Sequence, residues 1–218
     1  WDCCSRKASS LKKLSTATTP PPFLRFTLFV FTFILFTIIG TLSHEFGHIF
    51  FAQLLGYQWE LHFAHMEVIG DVKVEFHNFL IYTGGPLQTT LTGTIGYILL
   101  LKSRKVSSHF STIDYLWFFL SLFWLRQVFN LLHRFALGVF SGSGIYFGGD
   151  ETGLSQYLGL HQGFLSLLMG GIGVIICAHV FFFLTEKKER TLLITSGIFG
   201  SALGFWIWMI KLGPLLIP

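Results

Sequence analysis

The sequence predicts an all-α polytopic membrane protein of about five transmembrane helices, with a short β-hairpin between the first and the second. Three observations carry this expectation. The 218-residue chain is 52% hydrophobic and only 12% charged, against about 25% charged in an ordinary soluble domain, and its mean hydropathy is +0.63. Its apolar residues gather into five runs, each meeting the ~20 residues that a bilayer requires. Between the first two runs the pattern changes to strand-like alternation. The length allows one compact bundle, so residues 23–213 are read as a single transmembrane domain behind a basic tail, 1–22, expected to be disordered.

The first run, 23–55, follows Thr18-Thr19-Pro20-Pro21-Pro22, a helix-start signal because proline fits the first helical turn. At 1.5 Å per residue it reaches on the order of 50 Å, so it must tilt or protrude. The other runs cover 80–101, 113–137, 164–184 and 191–212. Within 57–79, Trp59, Leu61 and Phe63 alternate before a Gly70-Asp71 turn signal, and Val72, Val74 and Phe76 alternate with Lys73 and Glu75, which predicts the hairpin. His62, His65 and His77 lie in or near it. They are read as exposed or interfacial, since no acidic or cysteine partner completes a four-ligand set at the usual spacing.

Charge gives topology. The formal net charge of +4 is a membrane-orientation signal, not a nucleic-acid surface. Arg6, Lys7, Lys12, Lys13 and Arg25 precede the first run; Lys102, Arg104 and Lys105 join the second to the third; Lys187, Lys188 and Arg190 join the fourth to the fifth. The other side carries Lys73, Arg134 and Lys211, so the positive-inside rule makes the N-terminus cytoplasmic. Cys3, Cys4 and Cys177 are too few for a disulfide framework or a cysteine zinc site, although Cys3 and Cys4 are open to acylation.

His44-Glu45-Phe46-Gly47-His48 falls inside the first run. On a helix the two histidines share a face and can offer two imidazole nitrogens to one zinc ion, while Glu45 can serve as general base toward water at that metal. Three ionisable residues within five positions are costly in hydrocarbon, and a bound cation offsets that cost. A buried polar cluster without metal is the alternative. Gly84-Gly85-Pro86 opens the second run, either loosening the helix to pair with an extended substrate or forming a glycine-rich packing surface.

The third run carries Arg126, Asn130, His133 and Arg134 at i, i+4, i+7 and i+8, one helical face. Arg126 reads as snorkelling or stacked on an aromatic, and Asn130 and His133 as lining a cavity shared with the histidine motif. Two histidines and a water leave zinc short of one protein ligand. The glycine-rich loop after the third run ends in Asp150 and Glu151; Asp150 is the first candidate, with Glu151 and His133 as alternatives, whereas Glu186 and Glu189 belong to a solvated charge run.

The histidine motif in a membrane helix, the hairpin after it, Gly85-Pro86 opening the next run, and the later Asn130 and Asp150 together resemble the site-2 protease family of intramembrane zinc metalloproteases. The resemblance covers about residues 24–152 and rests mainly on the context of the motif. It implies Zn2+ held by His44, His48 and Asp150, Glu45 as general base, and transmembrane segments of other proteins as substrates within the lipid bilayer; Gly85, Pro86 and Asn130 belong to the matched elements, and His133 is placed beside them by the helical stripe alone. The chain departs from the family in having Thr89 where an asparagine usually follows the Gly-Pro element. Asn130 and Asp150 also lie twenty residues apart with no proline between. The family's site usually opens to the cytoplasm, whereas the Lys/Arg pattern here places it on the opposite side. A catalytically inactive relative with a binding or scaffold role, and a metal-ion transporter, are the competing functions; a transporter would show repeated halves, and the chain has no internal repeat.

Cysteines introduced at Ser103 and Lys187 are expected to react with an impermeant thiol reagent applied from the cytoplasmic side, and one at Asp71 from the opposite side. Cytoplasmic labelling at Asp71 reverses the orientation.

Overall fold

The computed structural model describes residues 21–106, 110–140, 142 and 147–218. Most of the basic tail, with Cys3 and Cys4, and positions 141 and 143–146 of the glycine-rich loop lie outside the described residues. Helix α1 spans Pro22–Leu54, with proline in its first turn as the sequence predicts. Strands β1 (Trp59–Leu61) and β2 (Met66–Val68) follow, then α2 (Glu75–Val106), α3 (Thr112–Ser121), α4 (Trp124–Phe140) and the short α5 (Asp150–Tyr157). Helix α6 (Phe164–His179) widens into a π turn over Val180–Leu184. Helix α7 (Lys187–Trp206) does the same over Ile207–Leu212 before α8 (Gly213–Leu216).

Among the described residues, four stretches are long and apolar enough to cross a membrane: Pro22–Leu54, Thr112–Phe140, Phe164–Leu184 and Lys187–Leu216. The remaining predicted run forms within α2, whose 32 residues suffice in length but whose threonines and glycines between Thr83 and Gly96 dilute its apolar character. The third run is one span built from two helices. A tight turn interrupts it, with the Leu125 N–H donating to Leu122 O at 2.8 Å and the Arg126 N–H to Phe123 O at 3.1 Å. This turn offsets α4 from α3 just before Arg126.

The hairpin forms, but its second strand and turn differ from the expected ones. Trp59 pairs with Val68, Glu60 with Glu67 and Leu61 with Met66, so the reversal lies at residues 62–65. Gly70 instead takes positive φ (91°) beyond β2, where it turns the chain away from the sheet, and Glu75 and Phe76 already belong to α2. The alternation of Val72, Val74 and Phe76 is too short to compete with the helix that follows it.

Small residues set the helix crossings, as expected where apolar surface alone does not drive association. Gly200 and Gly204 of α7 lie against Val30, Ile34 and Thr37 of α1, and a Cβ at Gly96 of α2 would meet Leu120 and Ser121 at the end of α3. At the α1–α2 crossing a Cβ on Gly47 would strike the Gly84 carbonyl, and one on Gly84 would strike the Gly47 carbonyl. Antiparallel α1 and α2 thus touch backbone to backbone. The Gly84-Gly85-Pro86 element is therefore a packing surface inside a continuous α2. The apolar core sits toward the other end of the bundle, around Phe33, Leu100, Phe118, Phe119, Val180 and Leu193.

The two ends of the bundle differ in charge. At the end carrying Lys102, Lys105 and Lys187, Arg25 pairs with Glu189, which is only 6% exposed; the sequence reading of Glu189 as solvated is corrected by this partner on α1. The Phe110 N–H donates to Glu186 at 2.8 Å, and with Lys188 it holds that carboxyl below the usual carboxylate range. Asp114 accepts from the N–H and the hydroxyl of Ser111, both at 2.7 Å, in a capping box. The hairpin, α5 and α8 gather at the opposite end. There the Phe63 N–H donates to Ile217 O at 3.0 Å and the Trp208 indole N–H to Phe63 O at 2.8 Å.

Gly47→Val inserts a branched side chain between two backbones, and the detergent-solubilised protein is expected to lose at least about 2 kcal/mol of stability. A thermal midpoint equal to that of the wild type would contradict the crossing.

Candidate metal centre

The buried face of α1 carries His44, Glu45, His48 and Ala52, while Phe46, Phe50 and Leu54 point outward on the opposite side. The spacing of 3.6 residues per turn separates the two sets. Because α2 approaches so closely, a Cβ on Gly85 would fall on the Nε2 atoms of both histidines. Gly85 is thus the floor under the two rings.

Helix α2 also fixes the rings' other nitrogens. His48 Nδ1–H donates to Ile81 O at 2.6 Å, which leaves its Nε2 a free lone pair. His44 Nδ1 is 2.9 Å from Thr89 Oγ1. Such partners orient metal-ligating imidazoles and set their tautomers. Thr89 therefore stands where the resemblance leads one to expect asparagine, and it meets the motif histidine directly.

Asp150 completes the group. Gly149, with φ of 84°, turns the chain so that α5 begins at Asp150 beside α1. Asp150 Oδ2 lies 2.9 Å from His44 Nε2 and 3.3 Å from His48 Nε2, and the two Nε2 atoms are 3.2 Å apart. Zinc–nitrogen bonds of about 2.0–2.1 Å at tetrahedral angles put neighbouring donors about 3.3 Å apart, so these three atoms fit one face of a zinc tetrahedron. The His48 Nε2 also faces a carboxylate oxygen, an arrangement that a cation between them would suit.

Glu45, 4% exposed, is held on both oxygens. The Met66 N–H of β2 donates to Oε2 at 3.1 Å, and Arg126 Nη2 lies 3.6 Å from Oε1. Arg126 thus turns inward to the motif, contrary to its reading as a snorkelling or stacking residue. The offset between α3 and α4 and the partner Glu45 account for this, and neither was visible in the stripe itself.

The structure separates the remaining stripe residues from the three donors. His133 is exposed and stacked on Phe129, with ring centroids 5.6 Å apart. Asn130 lines a small pocket with Gln127, Arg134 and Glu151. Glu151 is 3% exposed; its burial, then the neighbouring charge of Asp150, push its carboxyl above the usual range, which disfavours the anionic form a metal ligand requires. Pro86 sits inside α2 next to Gly85, where it has no N–H to give to the Tyr82 carbonyl four residues before it. The sequence reading missed the Met66 amide, Ile81 O and the facing pair Gly47 and Gly84. A small residue inside the motif opposite a Gly-Gly pair was the available signal for the last of these.

No protein-family model, curated protein or solved structure matches the chain.

Gly85→Ala is expected to abolish zinc binding by direct collision with both rings. Thr89→Ala, which removes only the partner of His44, should weaken zinc affinity by about 10–100-fold. Competition with a chelating dye measures both, and wild-type affinity in either variant would contradict the assigned geometry.

Proposed function

We propose that the protein is an intramembrane zinc metalloprotease of the site-2 type, hydrolysing peptide bonds in or near membrane-spanning segments of other proteins. The observation that carries this reading is the convergence of His44 Nε2, His48 Nε2 and Asp150 Oδ2 within 3.3 Å of one another, with Glu45 beside His44 on the same buried face. Zinc, when bound, acts as a Lewis acid and lowers the pKa of water to about 7.

The chain's own residues supply the rest. His44, His48 and Asp150 hold the metal, and Thr89 and Ile81 O keep the imidazoles in register. Glu45 accepts the proton of the attacking water at its carboxylate and passes it to the departing amine. The Met66 N–H and Arg126 keep that carboxylate oriented before reaction. A cleft of about 550 Å³ between α2 and α5, lined by Phe79, Tyr82 and Tyr157 together with Glu75, Asn78 and Gln156 and reaching Gly149 beside Asp150, has the size to receive a peptide segment and polar groups to pair with its backbone. In this reading the chain is a multi-pass integral membrane protein with α2 as its fifth span, the N-terminus cytoplasmic and the metal centre toward the opposite face.

Protein dialysed against a weak chelator is expected to retain one zinc per chain, and His44→Ala, His48→Ala or Asp150→Ala to lose it, by metal analysis. Glu45→Gln should keep the metal and cleave a model transmembrane substrate at least about 100-fold more slowly. Full zinc retention in the histidine variants, or wild-type cleavage by Glu45→Gln, defeats the proposal.

A further inference from the structure

We propose that the hairpin carries a second divalent-metal site, formed by His62, His65 and Glu67 and distinct from the centre on α1. The sequence reading found no acidic partner for these histidines. The observed register supplies one, because the turn at residues 62–65 folds β2 back so that Glu67 returns alongside His62. The three side chains offer donor atoms that all lie within 4.8 Å of one another.

Two features distinguish this cluster from ordinary surface residues. The His62 Nδ1–H donates to the Pro218 carbonyl, which leaves Nε2 of the neutral ring as a lone pair, and that atom lies 3.9 Å from Glu67 Oε2. With Nε2 unprotonated, the two atoms face each other as acceptors and can share a cation. A ring whose other nitrogen donates to a backbone carbonyl is also how His48 is held, and it is the usual setting of a metal-ligating histidine. The His65 ring stacks on that of His62, with centroids 4.7 Å apart, and the exposed His65 side chain would turn out of this stack to aim its lone pair at the same ion. Glu67 also sits directly across from Glu60 in the strand pair, a like-charge juxtaposition that a bound cation relieves.

The donors suit the ion. Two imidazoles and one carboxylate, with remaining positions open to water, form a zinc-type set. At 69% side-chain exposure Glu67 makes this an open site, weaker than the buried centre and filled by free metal in solution. His65 and Glu67 flank Met66, whose N–H donates to Glu45. An ion joining the turn to β2 stiffens the segment that holds the Glu45 carboxylate. That coupling rests on Glu45 being the base of the proposed reaction, whereas the metal site itself does not.

The test is a zinc titration by calorimetry on protein already holding one tightly bound zinc, in a background with Cys3 and Cys4 changed to serine. A second binding event is expected, weakened at least about tenfold by His62→Gln, His65→Gln or Glu67→Gln and unchanged by the control His77→Gln. Repeating it on the His44→Ala/His48→Ala protein should show the same weak event without the tight one, which separates this site from the proposed catalytic centre. Zinc should also slow amide exchange across residues 62–68. Absence of a second event, or a second event indifferent to all three hairpin substitutions, overturns the proposal.

Discussion

The crossing of α1 and α2 at Gly47 and Gly84 is the contact on which the candidate metal centre depends. Two helices with ordinary side chains at their contact keep their axes about 8–10 Å apart. Here backbone meets backbone, and only that proximity lets α2 serve the histidines of α1 from one side with Gly85, Ile81 O and Thr89. A larger separation would leave both imidazoles free to rotate, and the convergence of their Nε2 atoms would be lost. Gly47, though it carries no functional group, is as much a part of the motif as the residues that do.

Charge supplies the second constraint. Glu45 and Asp150 are two carboxylates in a largely apolar bundle, and an aspartate at the centre of a spanning helix costs about 3 kcal/mol on insertion scales. Two uncompensated anions would consume much of the roughly 5–15 kcal/mol by which a typical protein is stable. Arg126 meets Glu45 and offsets one of them. The other faces the two Nε2 atoms, where a cation, as in the proposed zinc site, would offset it.

Much of this was legible in the sequence because it depends on local periodicity. The two histidines and the glutamate are placed by the helix alone, and proline at the start of α1 follows from its fixed φ. Asp150 was reachable by elimination among a few carboxylates, since the loop before it is rich in glycine. What failed depended on tertiary partners. Arg126 looked like a snorkelling side chain until Glu45 appeared beside it, and Glu189 looked solvated until Arg25 covered it. His133 shares a helical face with Asn130 by spacing, yet it lies against Phe129 in the exposed part of α4. The hairpin register was misjudged because Gly70 marks a turn without saying which turn. Apolar content alone was also a poor guide to α2, whose threonines and glycines dilute its apolar run although it supplies most of the contacts to the two histidines.

The hairpin that holds Glu45 is itself fastened to residues 208–217, through Phe63 to Ile217 and Trp208 to Phe63. Synthesis runs in the other direction. The histidines leave the ribosome early, α2 brings their orienting partners next, Asp150 comes some hundred residues after the motif, and the segment that clamps the hairpin arrives last of all these parts. A nascent chain caught midway therefore holds an unfinished centre with a loose hairpin above it. Order of synthesis thus places the fastening of the hairpin after all three donors of the candidate metal centre.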